Sequence, residues 1–172
     1  MSENASAYSD ADVSTLERPR AFDTILYGGL AVGILDGLFA LIYYGLILGA
    51  RPMRIFQSVA SGLLGKASYE GGMPTFLLGV LLHFVVATCI AAVYYAVSLK
   101  LPVLIRHAVL CGLIYGMIAY LGMNYVVIPL SAAKSGTFSL PVFLTGLIGH
   151  ALLVGLPIAL LTRRSAEANK RD

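Results

Sequence analysis

The chain has 172 residues, of which 58% are hydrophobic and only 12% are charged. A soluble domain carries roughly 25% charged residues, so this composition excludes an ordinary soluble domain and favours a polytopic membrane protein. The net charge of +3 is dispersed along the chain. We therefore expect the lipid bilayer to be the main partner, and no nucleic acid.

Residues 1–22 precede the first apolar segment and are polar and acid-rich. A secretory signal peptide would begin with a basic segment and continue into a short apolar core, and this stretch has neither. We predict a disordered N-terminal tail over residues 1–22.

Four apolar segments follow, each long enough to cross the roughly 30 Å hydrocarbon core of a bilayer. The predicted spans are residues 23–49, 74–98, 103–128 and 141–162, and residues 163–172 form a basic C-terminal tail. The predicted fold class is therefore all-α, with a four-helix transmembrane bundle over residues 23–162.

The distribution of lysine and arginine predicts the orientation of the bundle. With four spans, both termini lie on one side, which collects eight basic residues against four on the other. The first group is Arg18, Arg20, Lys100, Arg106, Arg163, Arg164, Lys170 and Arg171, and the second is Arg51, Arg54, Lys66 and Lys134. The positive-inside rule then predicts that both termini are cytoplasmic.

The loop between the first two spans has a helical pattern over residues 52–65. Pro52 favours a helix start and Gly65 a helix end. One face of this pattern is apolar (Phe56, Val59, Ala60, Leu63, Leu64) and the other is polar (Arg54, Gln57, Ser58, Ser61). We predict a short amphipathic helix that lies in the outer interface or caps the bundle.

Two pairs of segments resemble each other. PTFLLGVLLH at 74–83 and PVFLTGLIGH at 141–150 share Pro, Phe, Leu, Gly and His at the same places, and GILDGLFA at 33–40 matches GLIYGMIA at 112–119 in its small residues. These matches indicate a tandem duplication of a helical hairpin. Small residues let helices approach closely in membranes, so we predict packing faces at Gly33, Gly37, Gly79, Gly112, Gly116 and Gly146.

Three ionisable residues within the spans, Asp36, His83 and His150, are the main candidates for function, because such groups are costly inside a membrane. Asp36 shares the small-residue face of the first span and is expected to face the bundle. It either ties helices together by hydrogen bonds or handles protons or a solute. Tyr115 is its counterpart in the second repeat, and Asn124 either bridges helices or lines a cavity.

His83 and His150 occupy the repeated position, so we expect them at one depth on different helices. Three interpretations are open. The imidazoles hydrogen-bond neighbours in a packed interior, form a proton-responsive site with Asp36, or ligate a haem b. We expect no cofactor, and haem is the alternative.

The sequence has no triad of catalytic residues, phosphate-binding loop or zinc motif, and we do not expect an enzyme. The leading hypothesis is an intramembrane Asp–His site that senses protons, or binds or moves a small ligand. The alternatives are a haem-binding electron-transfer subunit and an interaction or assembly protein. A homo-oligomer or a membrane protein partner is compatible with each of them.

Residues 74–164 resemble the YagU-like family of small bacterial inner-membrane proteins. The resemblance lies in LLHFVVATCIAAVYYAV at 81–97, a short lysine-containing turn, a third helix that ends in IPL, and Gly-His at 149–150. It implies a bacterial inner-membrane location and an association with acid resistance. It supplies no catalytic residues, and His83 and His150 are the matching positions.

Overall fold

The structure is a computed structural model that describes residues 18–134 and 138–169. These residues are 87% helical and contain no strand. They form α1 (Asp23–Ile47), α2 (Pro52–Leu64), α3 (Gly72–Ser98), α4 (Ala108–Leu130) and α5 (Leu140–Asn169). All of these except α2 are long and apolar enough to cross a membrane. The prediction of an all-α chain with four such helices is confirmed.

The helix ends differ in places from the predicted spans. A short helical turn, Val103–Arg106, precedes α4, and α5 continues into the predicted C-terminal tail as far as Asn169. Residues 1–17 of the predicted N-terminal tail and residues 170–172 of the C-terminal tail lie outside the described residues.

Helix α1 packs against α3, and α4 packs against α5, so each hairpin is closely packed. The two hairpins meet mainly through antiparallel packing of α1 against α5. The described chain ends meet at one end of the bundle, where the backbone N–H of Arg20 donates to Ser165 Oγ at 2.7 Å. We call this the terminal end, and the opposite end the α2 end. Since Arg20 and Ser165 are in contact, the described parts of both chain ends lie on the same side of the bundle.

Glycines allow the closest helix contacts. A Cβ added to Gly112 would lie 2.7 Å from Ala159 Cβ, and one added to Gly116 would collide with the carbonyl oxygen of His150. In the first hairpin, a Cβ on Gly29 would lie 2.6 Å from Thr88 Oγ1. These positions hold backbones together where lipid supplies no hydrophobic drive.

Two spans change their hydrogen-bond pattern before an internal proline. The π-helical turns Met123–Val127 and Ala151–Gly155 precede Pro129 and Pro157. A proline has no N–H and its ring crowds the preceding turn, and wider turns accommodate that strain. The second π turn lies where α5 crosses the glycine face of α4.

The compact core occupies the half of the bundle nearest the terminal end. Its buried side chains come from all four spans and are mostly small: Val32, Ala87, Ala91, Tyr94, Ala108, Val154, Ile158 and Ala159. The half near the α2 end is more open. An apolar groove of about 360 Å³ also separates α3 from α4, with Val86, Ile90, Tyr115 and Ile118 among its walls.

Helix α2 forms where the amphipathic pattern predicts it, but the burial of its side chains does not follow the apolar and polar faces of that pattern. Gln57 and Ser61 are buried, whereas Leu63 and Leu64 are exposed. Gln57 Nε2 donates to the carbonyl oxygen of Gly72 at 3.1 Å, which satisfies its buried amide. The exposed leucines do not by themselves place α2 in the membrane interface, so its interfacial position stays a prediction.

The seat of α2 on α3 is a backbone contact at Gly79. A Cβ at this position would collide with the carbonyl oxygen of Phe56. We expect Gly79→Ala to destabilise the protein by about 1–3 kcal/mol, because α2 must shift to remove the overlap.

Gly122→Ala is the matched control, since a Cβ there meets nothing within 4 Å and alanine favours a helix. Thermal unfolding in detergent should show a lower melting temperature for Gly79→Ala alone. Equal melting temperatures for the two variants would contradict this packing.

Candidate functional site

Two cavities lie in the open half of the bundle, on either side of α2. The first, which we call the Asp36 cavity, has a volume of about 460 Å³, and its walls include Asp36, Tyr44, Arg54, Phe56, Tyr69 and His83. The second, the Asn124 cavity, has about 480 Å³ and is lined by Tyr120, Asn124, Tyr125, Lys134 and Phe143 among others. Ser58 and Tyr69 border both cavities, so the two are adjacent.

Asp36 lies near the middle of α1, and its side chain is 20% exposed. Its Oδ1 is 3.8 Å from Nδ1 of His150, whose side chain is 19% exposed. This distance allows an electrostatic attraction when the imidazole is protonated, but it is too long for a hydrogen bond. The glycines at positions 33 and 37 lie on the neighbouring face of α1 and are buried.

His83 is held against α1 by its ring nitrogen. Nε2 lies 2.9 Å from the carbonyl oxygen of Gly33, and since a carbonyl only accepts, Nε2 carries the proton and donates. A Cβ on Gly37 would lie 3.3 Å from the same nitrogen. Edge contacts with Phe56 and Phe84 at 5.8 and 5.7 Å fix the ring. Gly37 thus leaves room for this imidazole, whereas Gly33 leaves room for the ring of Phe84.

His150 is held in a different way. Its Nδ1 donates to the carbonyl oxygen of Gly146, one turn earlier, at 3.0 Å. Its ring meets the edge of Tyr120 at 5.0 Å. Gly146 lies beneath that tyrosine, because a Cβ there would come within 2.6 Å of the ring. Nδ1 therefore donates to its own helix and also faces Asp36.

Both histidines lie at the same level of α1, as the repeat predicts, but on different faces. At 100° per residue, the face of α1 at Gly33 and Gly37 is about 110° from the face at Asp36 and Phe39. His83 contacts the first of these faces and His150 the second. The structure therefore brings Asp36 next to His150 and places it with His83 in the wall of one cavity, without pairing the two rings.

This arrangement bears on the haem hypothesis. Axial ligation needs one ring nitrogen of each histidine directed at one iron. Backbone carbonyls contact Nε2 of His83 and Nδ1 of His150, so the nitrogens that could serve are Nδ1 of His83 and Nε2 of His150. In the described part of the chain, no group of three or more His, Cys, Asp or Glu residues could hold a metal ion. The haem alternative stays a prediction.

The other two candidate residues lie apart from Asp36. Tyr115 OH donates to the carbonyl oxygen of Ile90 at 2.7 Å, and its ring packs on Tyr94 at 4.9 Å. It therefore ties α4 to α3. Asn124 Nδ2 donates to the carbonyl oxygen of Tyr120 at 2.9 Å and borders the Asn124 cavity.

Three residues of the Asp36 cavity were not among the sequence candidates. Tyr44 is eight positions after Asp36 and shares its side of α1, which is a signal that could have identified it. Arg54 lies 5.3 Å above the ring of Tyr69, and this contact joins α2 to the turn that follows it. No spacing in the sequence predicts that pair.

The fold and these side chains define a class: a helical protein of the multi-span membrane type, with an Asp–His cluster beside a cavity between its helices. No family model, curated protein or solved structure matches the chain.

The geometry predicts an energetic coupling between Asp36 and His150. A double-mutant cycle of Asp36→Asn and His150→Gln should give a coupling of about 0.5–1 kcal/mol, because each single change removes the same attraction. The free energy of unfolding would be measured by titration from a mild detergent into a denaturing one.

The control cycle pairs Asp36→Asn with His107→Gln. His107 is exposed and immediately precedes α4 at the terminal end, so its effect should be additive with that of Asp36. A coupling with His107 as large as that with His150 would contradict the assignment.

Proposed function

We propose that this chain is a small multi-pass protein of a bacterial inner membrane whose Asp36 cavity binds a small polar ligand. In this proposal Asp36, His83 and His150 also take up or release a proton, and the protein serves in transport or resistance to acid stress. The observation that carries it is a partly exposed carboxylate in the middle of a span, 3.8 Å from the His150 imidazole and in the wall of a cavity of about 460 Å³ that His83 also lines.

The shape of the bundle supports a site that opens toward one side. The terminal half is closed by the small-residue core, whereas the cavities lie under α2. Clefts of about 300–1,000 Å³ with a few polar groups are typical of small-molecule sites. Asp36 lies at the boundary between the closed half and the open half, where a ligand that enters from the α2 end would stop.

The orientation is also part of the proposal. The contact of Arg20 with Ser165 supports a common side for both chain ends, and the excess of basic residues on that side favours the cytoplasm. The cavities would then open to the outer side. The resemblance to YagU-like proteins agrees with this location and with a role in acid stress.

We also propose that the two hairpins arose by duplication. Gly37 lies against the His83 side chain, and its counterpart Gly116 lies against the backbone of His150. Each repeated glycine thus meets the repeated histidine of its own hairpin.

A second candidate function, membrane interaction or assembly, is favoured by the groove between α3 and α4. Its walls are apolar, among them Val86, Ile90, Val93 and Ile118. A helix of a partner protein, or of a second copy of this chain, would fill such a groove by van der Waals packing.

The ligand-binding proposal predicts that water reaches Asp36 from the α2 end. In a background of Cys89→Ser and Cys111→Ser, the variant Asp36→Cys should react with a charged, membrane-impermeant thiol reagent added outside intact cells. Only a thiol in contact with water ionises and reacts at a useful rate.

Ile34→Cys is the control, because Ile34 is two positions earlier and is 53% exposed on the outer face of α1. In a membrane that face meets lipid, so this thiol should not react. Equal reaction of the two variants, or none at position 36, would contradict the proposed cavity.

A separate experiment tests the proposed uptake and release of a proton. Infrared difference spectra between two pH values should contain the carbonyl band of a protonated carboxyl group that disappears in Asp36→Asn. The variant Asp23→Asn, at the first residue of α1, should keep the band. A band that survives in Asp36→Asn would show that another carboxyl takes up the proton.

A further inference from the structure

Two opposite charges, Asp36 and Arg54, line the Asp36 cavity. Among the described residues, Asp36 has no lysine or arginine partner and Arg54 has no carboxylate partner. Over residues 18–134 and 138–169, no lysine or arginine lies within 4.0 Å of Asp36, whose nearest charged neighbour is the titratable His150 at 3.8 Å. In the same part of the chain, no carboxylate lies within that distance of Arg54. Both charges border the same space.

The two charges lie at different depths. Asp36 is near the middle of α1 and largely covered by neighbouring helices. Arg54 is in the first turn of α2, is exposed, and has its guanidinium over the ring of Tyr69. The cavity is therefore negative at its inner end and positive at its mouth.

Apolar and aromatic groups line the same cavity. Phe56 and Tyr44 line the cavity together with Tyr69, and Ile55 and Val59 contribute aliphatic walls. Aromatic faces and aliphatic walls bind the apolar body of a ligand without requiring hydrogen bonds.

We propose that this cavity binds a small zwitterion of the α-amino-acid class, with its ammonium group at Asp36 and its carboxylate at Arg54. A guanidinium suits a carboxylate because it can donate two parallel hydrogen bonds. A simple organic cation leaves Arg54 unpaired and repels it at the mouth, and a simple anion meets Asp36. The inference rests on the proposed ligand-binding function and adds the chemical class of the ligand.

The apolar walls favour a bulky side chain, so phenylalanine is the first probe. Phenethylamine has the same ring and ammonium without the carboxylate, and 3-phenylpropionate has the ring and carboxylate without the ammonium. Binding to the full chain in lipid nanodiscs would be measured by calorimetry. We expect phenylalanine to bind at least about tenfold more tightly than either analogue, because each analogue lacks the group that pairs with one of the two charges.

Variants assign the two ends of the ligand. Arg54→Gln should bind phenylalanine no better than phenethylamine, and Asp36→Asn should bind it no better than 3-phenylpropionate. Arg51→Gln removes an exposed positive charge three positions from Arg54, and Asp23→Asn removes a carboxylate at the far end of α1. Both controls should bind phenylalanine as the unmodified chain does.

Three results would overturn the inference. Equal affinity for phenethylamine and phenylalanine, unaffected by Arg54→Gln, would make this a site for organic cations. Equal affinity for 3-phenylpropionate and phenylalanine, unaffected by Asp36→Asn, would make it a site for anions. Failure of both phenylalanine and leucine to bind would exclude the class, and the proposed function would still stand if Asp36→Cys reacts with the thiol reagent.

Discussion

Helices inside a bilayer gain no hydrophobic free energy by leaving lipid for one another, so close backbone contact at glycine holds this bundle together. Gly112 and Gly116 of α4 meet Gly155 and Ala151 of α5 at distances that no side chain would allow. In the first hairpin Gly29 meets the backbone of Thr88, whereas the two glycines that follow it on the same face accommodate the rings of Phe84 and His83. The helices are closely packed where these glycine contacts occur, and the bundle is less densely packed beyond them.

The open half follows from what replaces the small residues. Beyond Gly37 the side chains of α1 that face inward become large and polar, as at Tyr44, and α2 enters the space between the helix ends. Its entry is permitted by Gly79, which accepts the carbonyl oxygen of Phe56 against the backbone of α3. One backbone contact thus decides where α2 lies, and with it the walls of both cavities.

Much of this architecture could be predicted from the sequence, because membrane spans are encoded by long apolar runs and tight packing by spaced glycines. The shared level of His83 and His150 also followed, since the repeat placed both at one distance from a proline. The neighbours of each ring did not follow. Whether a histidine meets a carbonyl, as His83 meets Gly33, or a carboxylate, as His150 meets Asp36, depends on helix rotation, which sequence periodicity fixes poorly in uniformly apolar helices.

The sidedness of α2 is a second feature that the sequence could not supply. The sequence pattern placed Leu63 and Leu64 on an apolar face and Gln57 on a polar face, whereas in the structure both leucines are exposed and Gln57 is buried. The amide of Gln57 pairs with the start of α3, which offsets the cost of burying it. Hydropathy alone does not represent such a specific bond, and it does not show that Arg54 borders a cavity.

A purely structural role does not explain well why a carboxylate, Asp36, lies in the middle of a span. A carboxylate at mid-span costs on the order of 2.5–3.5 kcal/mol on insertion scales, and a structural tie would offset that cost with hydrogen bonds. Within the described residues none reaches Asp36, and His83 in the same cavity wall donates to a carbonyl instead. The charge is compensated by water in the cavity, a proton, a protonated His150 or the cationic group of a bound ligand. All four can come and go, which is the property expected of a functional site.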